Sequence, residues 1–241
     1  MGNVNGEWII FGVKASDPGC IHSSDEAIDY VNKIGFLPLF ANSVPGFSLE
    51  EHTVARYWWS DNEEKDPWQW RVAIAASEKV AYGKFFAGKA GFISLEWFPY
   101  FANYRRDGYD FDSLWEDGLA KRREKQIMDC FADRDSYFSY ELKSRVAHSS
   151  KEKNAFEPVI NELQRKTYLV TRDFRQKLNK SGEPYGWHIA VYSPPEAIWG
   201  YDAVTSAYKE EPEVSRQRIY DRIREACSGA DITDEMIKKI I

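Results

Sequence analysis

Lysine and arginine side chains are concentrated in one stretch of the chain, residues 143–180. This stretch holds ten Lys or Arg and four Asp or Glu, a net charge of +6, whereas the whole chain carries −6. Cationic side chains bind phosphates by neutralising them and releasing condensed counterions, so a positive stretch in an acidic protein favours a polyanionic partner. We expect eight residues to contact the phosphates of double-stranded DNA: Lys151, Lys153, Arg165, Lys166, Arg172, Arg175, Lys177 and Lys180.

Two carboxylates in the same stretch make phosphate contact along its full length unfavourable. Glu157 and Glu162 fall on the exposed face of a predicted helix, where they would repel phosphates. The positive charge therefore lies mainly before and after that helix. Two interpretations remain open: nucleic-acid contact through these flanking parts, and a solvated basic surface that binds nothing.

Aromatic residues form a second candidate site, a pocket for a base or another ligand. Tryptophans and basic residues recur together in the N-terminal half: Trp58, Trp59, Trp68, Trp70, Arg71, Tyr82 and Lys84. Such rings could stack on an extruded base. The alternative is that they build the core, because Trp and Tyr each bury about 150–250 Å². Both interpretations stay open.

Other catalytic chemistry finds little support in the sequence. The four histidines, at positions 22, 52, 148 and 188, lie far apart, and HExxH, GxSxG, P-loop and GxGxxG motifs do not occur. The three cysteines are widely spaced and form no CxxC, which argues against a zinc site and for a reducing compartment. We expect no metal and no cofactor, and we assign no catalytic residue.

Three predicted helices and a predicted hairpin position the basic side chains. Apolar spacing predicts helices from about Arg122, over residues 139–146, and from Asn154, the expected N-cap, with Pro158 in the first turn. Residues 167–175 and 185–192 are rich in β-branched and aromatic types and flank a turn. This order predicts an α+β winged helix, in which the third helix usually enters a groove and the hairpin lies along the backbone.

The N-terminal half repeats the order of helix and hairpin. A capping box ending at Glu26 predicts a helix over about 25–33 that stops at Gly35, and Asp66 and Pro67 predict the start of another helix. A second hairpin follows at 80–94. We divide the chain into an extension (1–23), an aromatic unit interpreted as a degenerate winged helix (24–117), a winged-helix domain (118–193) and a C-terminal helical segment packed on the rest (194–241).

Length and composition are those of a globular protein. The 241 residues, 43% apolar and 15% aromatic, supply enough material for a core. The longest apolar run near the N-terminus, residues 8–11, is too short for a signal peptide or a membrane span. We expect a cytoplasmic protein without a membrane partner; the sequence does not indicate its oligomeric state.

Several sequence blocks resemble those of a known family. The run 155–170 is similar to the end of the third helix in winged-helix proteins related to the bacterial AlkZ-like DNA glycosylases. The blocks GFLPLF, WQWR, AYGKFF and AGFIS, which begin at residues 35, 68, 81 and 90, resemble other parts of the same group. The resemblance spans roughly residues 24–208. It implies a tandem winged-helix body that binds DNA and, in active members, excises alkylated or crosslinked bases.

The resemblance also identifies a departure. The active glycosylases position water with a Gln, one intervening residue, and then Gln or Asp. In this sequence the second residue after each glutamine is never Gln or Asp. Three hypotheses follow: a DNA-binding protein that lacks the usual catalytic pair, a glycosylase with a different water-positioning residue, and a winged-helix module that binds protein or a small ligand without nucleic acid.

Overall fold

Helices and short antiparallel strands alternate along the chain. The computed structural model describes residues 2–4 and 7–241, with side chains from Ile9 onward. Its α-helices are α1 (Ser24–Ile34), α2 (Pro67–Ala76), α3 (Phe98–Arg106), α4 (Phe111–Glu116), α5 (Arg122–Met128), α6 (Ser139–Val146), α7 (Ser150–Arg165), α8 (Glu196–Trp199), α9 (Tyr201–Val204), α10 (Pro212–Ala226) and α11 (Asp234–Lys238). Within the described residues no helix is long and apolar enough to cross a bilayer.

The strands form three antiparallel sheets, so the fold is α+β. They are β1 (Gly2–Val4), β2 (Glu7–Ile9), β3 (Phe36–Pro38), β4 (Val80–Phe86), β5 (Lys89–Ser94), β6 (Tyr137–Phe138), β7 (Val170–Leu178) and β8 (Pro184–Ser193). Strands β1 and β2 pair with each other. The other two sheets have the orders β3-β5-β4 and β6-β8-β7. In both, a short first strand pairs with the third strand, which pairs with the second.

The helix boundaries in the N-terminal half confirm the sequence-based expectations. The hydroxyl of Ser23 accepts a hydrogen bond from the N–H of Glu26 at the start of α1, and the helix ends at Gly35. Asp66 caps α2 by accepting from the N–H of Trp68, at 2.9 Å. These caps satisfy donors that the first helical turn leaves free, which is why short polar residues predict helix starts well.

The start of α7 differs from the expectation. Ser149, not Asn154, is the N-cap, because Ser149 and Glu152 form a capping box. The Glu152 carboxylate accepts from the N–H of Ser149 at 2.9 Å. Pro158 is therefore the ninth residue of the helix rather than part of its first turn. The helix tolerates the missing N–H of the proline because its apolar face, including Ile160 and Leu163, is fully buried.

The hairpin strands are also displaced from their predicted ends. Strand β7 begins and ends three residues later than expected, and β8 begins one residue earlier. Alternation of apolar and polar residues in a sequence does not show where the hydrogen bonds between two strands begin, because these bonds depend on the partner strand. The first part of β7 is buried, with Val170 in the core, and the outer part of both strands is exposed.

Buried side chains form two hydrophobic clusters. The first joins α1, α2 and the β3-β5-β4 sheet with Val170 and with side chains of the C-terminal helices, such as Ile219 and Ile237. The second lies among α5, α6 and α7 and includes Ile127 and Leu142. The four-part division of the chain stays a prediction, and its N-terminal extension includes residues 1, 5 and 6, which lie outside the described part.

A buried arginine connects α3 with two distant parts of the chain. Arg106 donates from Nη2 to the carbonyl oxygen of Thr167 at 2.7 Å and from Nη1 to Glu196 Oε1 at 2.5 Å. Its guanidinium also lies 4.6 Å from the ring centroid of Tyr168. Burial disfavours the charged form, but Glu196 and Tyr208 outweigh that effect and hold the pKa of Arg106 above its ordinary value.

We expect Arg106→Met to lower the free energy of unfolding by about 3–5 kcal/mol, because the change leaves Glu196 and the Thr167 carbonyl without their buried donor. Urea titration followed by circular dichroism measures this. The exposed Arg122→Met is the control and should change stability by about 0.5 kcal/mol or less. A loss as small as that of the control would show that Arg106 does not hold these segments together.

Candidate nucleic-acid interface

Four of the eight predicted phosphate-binding residues form ion pairs within the chain. The pairs are Arg165–Glu162 at 2.7 Å, Lys166–Glu124 at 2.9 Å, Arg172–Glu78 at 2.7 Å and Arg175–Asp173 at 2.5 Å. The Lys166 pair is structural, because the Glu124 side chain is buried. The others are partly exposed, and such pairs contribute only about 0–1 kcal/mol, so a phosphate can replace the carboxylate at small cost.

The other four residues have no ion pair among the described residues. Lys151 and Lys153 are exposed in the first turns of α7, and Lys180 is exposed in the turn between β7 and β8. The ammonium of Lys177 lies 4.5 Å from the ring centroid of Tyr140, a cation–π contact that leaves its charge available. The free positive charge is therefore on the hairpin and on the beginning of α7, while Glu157 remains exposed farther along that helix.

A bulge in the hairpin presents one tryptophan to solvent. Arg175 pairs with Ile189 and Lys177 pairs with Tyr185, so three residues of β8, 186–188, lie opposite Gln176 alone. The Gln176 side chain donates to the carbonyl oxygen of Gly186 at 2.6 Å, across the bulge. Bulges change the direction in which side chains point and are frequent beside functional sites. Here the bulge contains Trp187, which is 91% exposed.

A groove of about 610 Å³ lies beside the bulge. Its walls combine the stacked rings of Phe138 and Tyr140, 5.3 Å apart, with Lys177 and His188. Leu178 also lines the groove and is 66% exposed. Aromatic faces next to cationic groups are the combination that binds single bases and their phosphates. The groove was not evident in the sequence, because Phe138 and Tyr140 precede the hairpin by thirty residues or more.

The structure separates the predicted aromatic pocket into two groups. Trp58 and Trp70 are buried core residues whose indole N–H groups donate to Thr53 and to the Glu64 carbonyl oxygen. Trp59 is half exposed, and its ring centroid lies 6.2 Å from that of the partly exposed Trp68. Only this second pair offers ring surface to a ligand.

The remaining pocket residues lie where the N-terminal half meets β7. The guanidinium of Arg71 lies between two rings, 4.0 Å from the centroid of Trp68 and 4.4 Å from that of Phe174. Tyr82 contacts Phe174 with a centroid distance of 5.6 Å. Lys84 is half buried. The sequence did not indicate Phe174 as a member of this group, although it is the aromatic residue in the otherwise polar part of β7.

Chemistry based on metal ions or clustered histidines has no visible site in the described part of the chain. Groups of three or more His, Cys, Asp or Glu side chains with the geometry to hold a metal are absent there. His52 is used structurally, with its ring 3.0 Å from the hydroxyl of Tyr30. The three cysteines are free thiols.

Comparison with known proteins identifies the family. A family profile described as AlkZ related matches residues 21–241. The chain belongs to the AlkZ-related family. This confirms the resemblance of the sequence blocks to AlkZ-like proteins and relates the chain to DNA glycosylases. Searches of curated proteins and of solved structures each found no match.

The bulge depends on a backbone conformation that glycine adopts easily. Gly186 has φ +78°, and we expect Gly186→Ala to destabilise the outer hairpin by about 1–2 kcal/mol because a β-carbon is strained there. Hydrogen exchange of the Lys177 and Tyr185 amides measures the effect locally. Gly19→Ala is the control, because its new β-carbon would enter open space. Unchanged hairpin protection in Gly186→Ala would show that the bulge is not constrained by this residue.

Proposed function

We propose that this AlkZ-related protein binds DNA through the hairpin formed by β7 and β8. The observation that carries the proposal is the bulge that exposes Trp187 on the same hairpin as Lys177 and Lys180, which form no ion pair among the described residues. The exposed indole offers a ring face for stacking, and Gln176 and Gly186 shape the backbone around it. A surface of this kind suits a partner with both aromatic bases and phosphates.

We further propose that both halves are winged helices. Two features support this. The two three-stranded sheets have equivalent strand orders, β3-β5-β4 and β6-β8-β7, and in each half helices precede the last two strands. In the second half, α5, β6, α6, α7, β7 and β8 follow one another in the order of a helix-turn-helix with a wing. In this proposal the hairpin is the wing and α7 is the helix that lies nearest the groove.

The distribution of charges supports an assignment of the proposed phosphate contacts. Lys177 and Lys180 lie on the hairpin, and Lys151 and Lys153 lie at the start of α7, all without carboxylate partners among the described residues. Arg175 can join them by exchanging Asp173 for a phosphate, since its side chain is 55% exposed. The exposed Glu157 would repel phosphates at the middle of α7. The proposed contact is therefore made by the hairpin and the beginning of α7.

We propose that the protein binds DNA but does not excise bases with the usual water-positioning pair. The sequence lacks Gln-x-Gln and Gln-x-Asp, and two of its glutamines already have structural contacts. Gln176 spans the bulge, and Gln164 Oε1 accepts from the Lys84 N–H at 3.1 Å. Incubation with alkylated duplexes followed by alkaline strand scission tests this proposal. Cleavage would favour the alternative, a glycosylase with a different water-positioning residue.

The phosphate contacts predict a dependence on salt. Replacing both Lys177 and Lys180 with Ala should reduce the slope of log K against log salt by about 0.9 for each lost contact on duplex DNA. Fluorescence anisotropy at several salt concentrations measures the slope. Lys238→Ala with Lys239→Ala is the matched control, because it removes the same charge from the exposed surface of the C-terminal end. An unchanged slope in the hairpin variant would remove the hairpin from the interface.

Stacking of bases on Trp187 predicts a loss of DNA affinity that is independent of the salt effect. Trp187→Ala should weaken binding by about 1–3 kcal/mol, roughly 5- to 150-fold in Kd, with little change in the salt slope, because no charge is removed. Trp187→Phe should retain part of the affinity. Trp115→Ala, at a position that is 39% exposed and outside the hairpin, is the control. If Trp187→Ala binds like the control, the exposed ring does not contact bases and a protein partner becomes the better explanation.

A further inference from the structure

We infer that Arg71 and Lys84 form a binding site for a phosphate group where α2 and β4 meet β7. This site shares the ring of Phe174 with the groove beside the hairpin, but its charged groups are different and it does not depend on DNA binding by the hairpin. The phosphate could belong to a free nucleotide or to a nucleic-acid backbone, and both sources present the same oxygen acceptors.

The first observation is a buried guanidinium that lacks hydrogen bonds. Arg71 is 9% exposed, and its Nε and Nη1 atoms are enclosed without a hydrogen-bond partner in the described part of the chain. Burial lowers the pKa of Arg71, as expected for a charge removed from water. Leaving such a group without partners is costly. Asp66 acts on it electrostatically, but one oxygen of that carboxylate already accepts from the N–H groups of Trp59 and Trp68.

The second observation is another cation, Lys84, two residues after Tyr82 in β4, where the rings of Tyr82 and Phe174 are in contact and Phe174 also covers Arg71. Lys84 is half buried and has no ion pair among the described residues. Burial lowers its pKa, Glu157 opposes this, and Arg71 lowers the pKa further by repulsion. Two like charges in a partly dry region destabilise each other unless an anion lies between them. Asp66 offsets the repulsion at Arg71 and Glu157 offsets it at Lys84, but neither cation forms an ion pair among the described residues, so each retains N–H donors for an anion.

Two tyrosines supply further donors to the same region. The ring of Tyr82 contacts that of Phe174, which also covers Arg71, and Tyr82 contributes to the raised pKa of Tyr192. Burial raises the pKa of Tyr82 to about 12 and also raises that of Tyr192, so both hydroxyls stay protonated and can donate. Neither hydroxyl has a hydrogen-bond partner within the described residues.

These donors match phosphate better than a carboxylate. One carboxylate has two oxygens, which the guanidinium alone can occupy, whereas a phosphate has a third oxygen for Lys84 or a tyrosine. The rings of Trp68 and Phe174 cover the guanidinium, and both are only partly buried. Binding of an anion at the enclosed nitrogens therefore requires one of these rings to move. The half-exposed Trp59 next to Trp68 offers a face for the base of a nucleotide.

The test measures thermal unfolding of the full chain with inorganic phosphate and with thymidine 5′-monophosphate, against chloride at equal ionic strength. We expect a saturable rise in Tm with each, because a ligand that binds only the folded state stabilises it. Lys84→Gln should weaken phosphate binding roughly 10- to 150-fold through loss of a charge-assisted contact. Lys79→Gln, an exposed neighbour in sequence, is the matched control and should respond like the wild type.

A second variant distinguishes a binding site from a structural residue. Without phosphate, Arg71→Met should be at least as stable as the wild type, since methionine keeps contact with the two rings and removes an unpartnered charge. It should also lose the response to phosphate. A marked loss of stability together with a retained phosphate response would overturn the proposal.

Measuring oligonucleotide binding by the same variants distinguishes the two sources of phosphate. If free phosphate and nucleotide have no effect but Lys84→Gln weakens binding of an oligonucleotide while Lys79→Gln does not, the site holds a backbone phosphate. If Lys84→Gln changes none of these responses, the proposal is wrong. The hairpin variant with Ala at 177 and 180 should retain the Tm response to inorganic phosphate, so failure of the DNA proposal would be seen separately.

Discussion

The fold depends on the enclosure of one guanidinium by residues that are far apart in sequence. Arg106 lies at the end of α3, and its partners Thr167 and Glu196 lie just before β7 and at the start of α8. Thr167 has φ +64°, a conformation that a β-branched residue adopts only when its surroundings enforce it. By binding Thr167 through both its hydroxyl and its carbonyl oxygen, Arg106 fixes how the chain leaves α7 and therefore where the hairpin lies.

Charge is distributed unevenly around this frame. Several arginines near the hairpin are neutralised by carboxylates of the same chain, whereas the lysines of the hairpin turn and the beginning of α7 have no such partners in the described structure. Arginine suits fixed pairs because its planar group binds carboxylates in a defined geometry, and lysine keeps a mobile, hydrated charge. The net charge of residues 143–180 is therefore larger than the positive charge available to a partner. The positions of the unpaired lysines matter more than the net charge of the segment.

Local signals in the sequence predicted the helices with strong caps, α1 and α2, and both hairpins. They failed where the answer depends on distant residues. One local signal was also ambiguous, because Asn154 with Glu157 resembles a capping pattern five residues after the true N-cap, Ser149. The Arg172–Glu78 pair joins residues 94 positions apart, and no periodicity shows it. The bulge at Trp187 follows from pairing between two strands, and the enclosure of Arg71 follows from packing of Phe174 against another sheet. The residue types in the sequence identified the candidate site residues, and tertiary contacts determine which of these residues face solvent.

The bulge also constrains how the hairpin can change in evolution. Between the pairs Arg175–Ile189 and Lys177–Tyr185, β7 advances by two residues and β8 by four. The bulge thus adds two residues to β8, and Gly186, with its positive φ, interrupts the regular alternation of side chains there. With the core end of β8 fixed, deletion of a single residue within 186–188 would shift Pro184 and Tyr185 by one position relative to Lys177 and Leu178. A change of length in the bulge therefore changes which side chain of β8 lies opposite Lys177.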